Sequence, residues 1–364
     1  MRRFGLGFLV LATAVGVAAA AAAAGESESD PPPSLEYRPQ RLVIPEPNAP
    51  TPAPPVTIFR EAIGGFGIGT ESFDGPVDVA TDSEGSFYVL DSGNNRVQKF
   101  DRFTNYKLFW GSPGNRVGEF KGPRAIAVDS TRSDFHYIFV VDTGNHRVQI
   151  FRFEKQTGKV TFVESWGSLG SRDGDFKFPR DLVLDDEGNI WVLDPGNERV
   201  QKFKYDFDKD PRFCDKGTKI KSTVCFLGGW GKAFGTRGGQ FDDLVSIGWS
   251  RWRFGYIFLL GAGCLVQQFQ IDGTLVSSWP AVAPESGLCS PGRIEIDNKN
   301  DYVYVLDAGN GLFERYDIYG HFQFALRGAV RPFSKPLGMA VNPERDEYLI
   351  ADTENNTVQR FTLR

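Results

Sequence analysis

Histidine, methionine and cysteine are scarce in this chain: three, two and four among 364 residues. His136, His146 and His321 are dispersed and no Cys-x-x-Cys occurs, which excludes a zinc site of the usual Cys/His spacing. No motif asks for a cofactor or a metal. Basic residues are not in excess either. Lys and Arg number 41 against 46 Asp and Glu, a formal charge of −5, which argues against a nucleic-acid partner because phosphate binding needs concentrated positive charge. Past residue 24 no run is long and apolar enough to cross a membrane.

What is present begins with an apolar N-terminus. Arg2 and Arg3 precede the apolar stretch 4–17 and an alanine tract ending at Ala24. A basic start, an apolar middle and small residues at the end define an export signal, expected over residues 1–25 with cleavage near Ala24. An uncleaved anchor is the alternative, since about 20 apolar residues can span a bilayer. Residues 26–55 are acidic and then proline-rich, the composition of an extended, disordered spacer. The expected location is therefore secreted, or in the cell envelope or periplasm. There four cysteines are expected to pair.

The remaining residues, 56–364, repeat one phrase. "LDSGNNRVQKF" at 90–100 returns at 141–151 and 193–203, with weaker copies at 260–269, 306–316 and 351–361. Each unit opens on a large apolar residue followed by a proline: Phe73/Pro76, Phe120/Pro123, Phe176/Pro179 and Phe333/Pro336, decaying to Phe241/Leu244 and Leu288/Pro291. Short apolar runs, polar turns and, in the first four units, a closing aromatic (Trp110, Trp166, Trp230, Trp279) define a four-strand unit. Six such units at a period of about 45–50 residues predict an all-β, six-bladed propeller. The last unit ends after its third strand, and an orphan strand at 56–60 precedes the first. Pairing of that strand with the one containing Val358 and Phe361 is predicted to close the ring.

The wording resembles the NHL-repeat family of six-bladed propellers across roughly residues 56–364, strongly in the first three units and faintly in the fourth. The resemblance implies fold rather than chemistry.

Asp91, Asn94 and Arg96 recur as Asp142, Asn145 and Arg147, and as Asp194, Asn197 and Arg199. Three copies read as scaffolding: Asp and Asn hold turns through backbone N–H groups, and the Arg forks onto the Asp. The fourth unit lacks the set. In a propeller its Cys264 turn and the next loop, with Cys289, share a face, so a Cys264–Cys289 disulfide is predicted in compensation. A Cys214–Cys225 disulfide is predicted to close the long insertion of unit three.

A second repeated string contributes Arg116, Arg172 and Arg237 to the loops leading into units two to four. These glycine-rich loops lack the Gly-Lys-Ser/Thr of a nucleotide cradle. Either their arginines pair with neighbouring turn aspartates, or they join Arg124 and Arg180, which follow strand-start prolines and should point to the channel mouth, in a cationic arc. The "DDEGN" at 185–189 reads as a hairpin turn, lacking the distant Glu of a calcium loop.

Two function classes follow. The first is an exported, non-catalytic binding module that presents one face to a protein, peptide or other acidic ligand. The second is a metal-dependent secreted enzyme. The family resemblance implies, for a peptidyl-hydroxyglycine alpha-amidating lyase, zinc-binding histidines just after the strand-start prolines. Here those positions hold Val77, Arg124, Arg180, Val245, Gly292 and Leu337. Sugar-lactonase-like propellers imply acidic calcium ligands in the channel, for which Asp78, Asp181 and Glu295 are the candidates.

Overall fold

The computed structural model describes residues 56–205, 214, 217–219, 223–231, 239, 241, 243–253, 255–283, 289–328 and 331–363. The expected signal and spacer, Arg237 and Leu288 lie outside the described residues.

Alternating apolar residues bounded by glycine and Asx turns give short antiparallel strands that hydrogen-bond sequentially into six sheets. From the inside outwards, blade one consists of Pro76–Thr81, Phe87–Asp91, Arg96–Phe100 and Tyr106–Trp110. Blades two, four and five repeat that order. Blade three carries an extra short strand, Thr218–Lys219, at its outer edge. Blade six runs Pro336–Asn342, Glu347–Asp352 and Thr357–Leu363, and its outermost strand is Thr57–Gly64 from the other end of the propeller. The orphan strand thus closes the ring, in antiparallel register from Thr57↔Leu363 to Gly64↔Thr357 with an irregularity between Phe59 and Glu61. Glu61 ties this strand outward as well, accepting from Arg360 at 3.0 Å and from Thr104 of blade one at 2.9 Å.

The core is six cores. One apolar cluster fills each interface between successive blades, so no blade buries its faces alone. The cluster between blades six and one contains Ile63 of the closing strand beside Phe73, Val89 and Val358. Towards the axis the inner strands crowd. A Cβ on Gly338 of blade six would stand 2.3 Å from the Cα of Asp78 in blade one, so only glycine lets these two strands approach.

The repeated polar triad is a fixed clamp. Asp91 accepts the backbone N–H of Asp74 at 2.8 Å, the Asn94 amide at 2.9 Å and Arg96 Nε at 2.7 Å. The guanidinium does not fork onto the carboxylate as expected. Its two outer nitrogens donate instead to the carbonyls of Ile68, Gly69 and Ser72 in the loop leading into the same blade. Arg147 holds the carbonyls of Asn115, Arg116 and Glu119, and Arg199 those of Ser171, Arg172 and Asp175. The reading that pairs the loop arginines with turn aspartates is therefore corrected. Those carboxylates are already taken, and Arg116 and Arg172 contribute carbonyls while their side chains stay exposed.

Blade four, which has no such triad, is pinned by Cys264–Cys289 (Cα–Cα 5.7 Å), and Cys214–Cys225 closes the insertion in blade three (Cα–Cα 5.4 Å).

Removing residues 56–63 should expose the edge of blade six and open the core around Val358. We expect thermal unfolding to fall by at least about 5 °C, measured by circular dichroism, since a few kcal/mol shifts Tm by that much or more in a domain of this size. Cys264→Ala/Cys289→Ala should lower stability by about 2–4 kcal/mol in denaturant melts.

Candidate functional site

Strand alternation puts the loops that lead into each blade, the turns after the second strands and the start of the inner strands on one face. At its centre a pocket opens onto the axis. It is lined by all six residues that follow the strand-start position: Val77, Arg124, Arg180, Val245, Gly292 and Leu337. Below them it reaches Asp78, Asp181, Ser246 and Arg293, one residue further along four of the inner strands.

That lower ring is an ion cluster. Arg293, buried in blade five, is paired with Asp181 of blade three, with Asp78 of blade one at 3.4 Å and with Glu295 at 3.7 Å. Every carboxylate also serves the scaffold or the cluster. Asp78 accepts the backbone N–H of Ile126 in blade two at 2.9 Å. Asp181 accepts the Ile247 N–H at 2.9 Å and the Ser246 hydroxyl at 2.6 Å. Ser246 in turn accepts the Ile294 N–H at 3.1 Å. Three of the six blade interfaces are thus latched at the axis by a side chain reaching a neighbour's backbone.

One guanidinium cannot neutralise three carboxylates. Burial pushes Asp78 up to about 7, against the pull of Arg293 and with Asp181 adding to it. Burial likewise raises Glu295 to about 7, with Arg293 opposing. For Arg293 burial weakens the charge, but Asp181, Asp78 and Glu295 outweigh it and hold the guanidinium firmly protonated.

The channel carboxylates proposed from sequence as calcium ligands, Asp78, Asp181 and Glu295, do converge, and around Arg293 rather than around open space. Their donor set does not fit a divalent cation while the guanidinium stands among them.

The histidines do not converge. His136 is buried between blades one and two, Nδ1 3.4 Å from both Asp82 and Tyr88 Oη. It belongs to the strand Phe135–Asp142. His146 Nδ1 accepts the Phe178 N–H at 3.0 Å, and His321 bonds Asp317 at 2.6 Å. Lys99 completes the His136 group, donating to Asp82 at 3.1 Å and to Tyr88 Oη at 2.8 Å. Burial opposes ionisation of Asp82, yet His136 and Lys99 together hold it down at about 2.

The upper ring differs in kind. Arg124 is exposed and Arg180 half-buried, and neither forms an ion pair with a carboxylate among the described residues. Burial and then the Arg124 charge lower the basicity of Arg180, with Asp181 and Asp243 only partly offsetting them. Two unpaired guanidinium groups facing one cavity are uncommon in a purely structural setting. The loops around them add exposed Arg116, Lys121, Arg172 and Lys177, with Glu119, Asp173 and Asp175 interspersed. Exposed Phe66, Val117, Leu169 and Phe178 stand on the loops leading into blades one to three. Arg116 and Arg172 are outside the pocket, so among the described arginines singled out from sequence the structure brings together Arg124 and Arg180.

The fold is a six-bladed propeller, and three of its blades carry the NHL repeat, which matches residues 73–100, 176–203 and 333–361. It is 24% identical over 257 residues to NHL repeat-containing protein 3 of Homo sapiens, covering 64% of this chain and 63% of that protein. It is 27% identical over 170 residues to the probable peptidyl-alpha-hydroxyglycine alpha-amidating lyase pgal-1 of Caenorhabditis elegans, covering 45% of this chain and 46% of that protein. The chain thus spans less than two thirds of the length of these relatives. Among solved structures, a streptogramin B lyase aligns with a TM-score of 0.50 at 11% identity over 84% of this chain and 98% of the other, a likeness of fold alone.

The raised carboxyls set a pH dependence. Asp78 and Glu295 bind protons more tightly folded than unfolded, so folding takes up protons between about pH 4 and about pH 7. The stability they contribute is complete below their unfolded values and declines as pH rises through 7. Tm should therefore fall from pH 5.5 to pH 8, and Asp78→Asn with Glu295→Gln should flatten that slope. Asp82 acts in the opposite sense, its contribution being lost as pH drops from about 4 to about 2.

Proposed function

We propose that this propeller is an exported binding module whose channel-mouth face, in the sector of blades two and three, receives an acidic ligand such as a peptide or protein segment. The observation that carries the reading is the pair Arg124 and Arg180, two guanidinium groups in one cavity without a carboxylate partner among the described residues. Their neighbours supply the rest of an interface: flexible cations around the rim and exposed apolar side chains between them, the mixture that protein surfaces use for recognition. Two disulfides agree with an oxidising location outside the cytoplasm.

A metal-dependent lyase or hydrolase is the second reading, drawn from relatives such as the amidating lyase. It ranks below the first because Arg293 occupies the centre of the channel carboxylates and no histidine lines the pocket. Metal analysis of the purified protein separates the two. The binding reading expects no stoichiometric zinc or calcium, and one ion per chain would restore the enzyme.

A fluorescein-labelled, C-terminally amidated deca-glutamate peptide tests the binding face. Arg124→Ala/Arg180→Ala should weaken its binding at least tenfold in low salt, and the wild-type affinity should fall as salt rises. Equal affinity of the double variant removes these arginines from the function.

A further inference from the structure

The mouth has two unlike halves. Blades two and three contribute Arg124 and Arg180; the remaining blades contribute the aliphatic side chains of Val77, Val245 and Leu337, and Gly292, where a Cβ would stand 2.4 Å from Pro336 O, adds none. The enclosed part of the cavity is small, about 30 Å3, room for a carboxylate-sized group, so the body of a ligand must lie across the open mouth. On its floor Asp78, Asp181 and Ser246 are bonded to the strands and Arg293 is ion-paired with the carboxylates, its Nε alone lacking a hydrogen-bond partner. The floor is also acidic on balance, three carboxyls to one guanidinium, so a multiply charged anion pressed against it meets repulsion that a single negative charge held by the upper arginines largely avoids. A lone inorganic anion would engage the arginines and leave the aliphatic half uncovered.

We infer that this pocket binds a single carboxylate attached to an apolar body: the carboxylate lies between Arg124 and Arg180, and the body crosses the mouth onto Val77, Val245 and Leu337. The inference rests on the acidic-ligand reading and narrows it. The same chemistry is offered by the C-terminal residue of a peptide ending in leucine and by a free branched-chain acid.

Isothermal titration of the full chain distinguishes them. The probes are acetyl-Gly-Gly-Leu, sodium 4-methylpentanoate, the amide of each, and inorganic phosphate. At least one carboxylate should bind ten times more tightly than its own amide and than phosphate. The tighter of the two identifies the source, a chain end or a small acid. Arg124→Gln, at an exposed position that folding does not depend on, should weaken the preferred carboxylate at least tenfold, and Leu337→Gln at least threefold. Arg180→Gln should act as Arg124→Gln does, with Arg180→Lys retaining part of the affinity. Equal binding of acid and amide, or phosphate binding as tightly as the acids, overturns the inference. So does silence of both carboxylates; if the deca-glutamate peptide still binds through Arg124 and Arg180, the broader reading survives that failure.

Discussion

Six inner strands converge on one axis with so little room that a methyl group on Gly338 would collide with the neighbouring strand. The rest of the molecule follows from this crowding. Side chains that point into the axis cannot be solvated, so they must satisfy one another. Asp78, Asp181 and Ser246 do so by capturing the backbone N–H of the next blade, and Arg293 gathers the leftover negative charge. Buried ion clusters of this kind add little net stability over apolar packing, but they fix geometry, because each partner left alone would be costly. The pocket lies above this cluster, ringed by the residues that start the inner strands.

The scaffold is uneven around the ring, and the unevenness coincides with the candidate face. Blades one to three carry the full Asp–Asn–Arg clamp, which holds each leading loop by three carbonyls. Blades four to six have lost its arginine. Blade four substitutes a disulfide; in blade six Arg331 reaches back to Asn355 O and Thr357 Oγ1. In blade five the glutamine of the repeat is replaced by Glu314, which burial raises to about 7 although Tyr316 Oη and the Ala283 N–H donate to it. The rigidly held loops are those that display Arg116, Val117, Leu169 and Arg172. Preorganised loops bind with less ordering cost, which suits a recognition surface.

Much of this was legible in the residues. The repeat period gave the blade count, and the truncated last unit together with the orphan strand gave the closure. The missing polar triad of unit four pointed to its disulfide, the proline offset placed Arg124 and Arg180 at the mouth, and the family resemblance marked the equivalent positions in the other units. The ion cluster was not legible. Arg293 sits at the same offset from Pro291 as Asp78 does from Pro76, yet which side chains meet across an axis depends on the ring being closed. The Lys99–Asp82–His136–Tyr88 group was hidden for a similar reason. Its members come from two blades, and His136 joins them from the strand Phe135–Asp142 of blade two. The pairing of Arg116 and Arg172 with turn aspartates failed because the Asn and Arg of each clamp already occupy those carboxylates.

The central claim is that Arg124 and Arg180 are free to receive a ligand whereas the clamp arginines are not. Arginine Nε–Hε signals report this directly. On titrating sodium 4-methylpentanoate into 15N-arginine-labelled protein, the signals of Arg124 and Arg180 should move and their solvent exchange should slow, while those of Arg96, Arg147 and Arg199 stay fixed. Unmoved Arg124 and Arg180 signals, or shifts spread equally over the clamp arginines, would contradict the account.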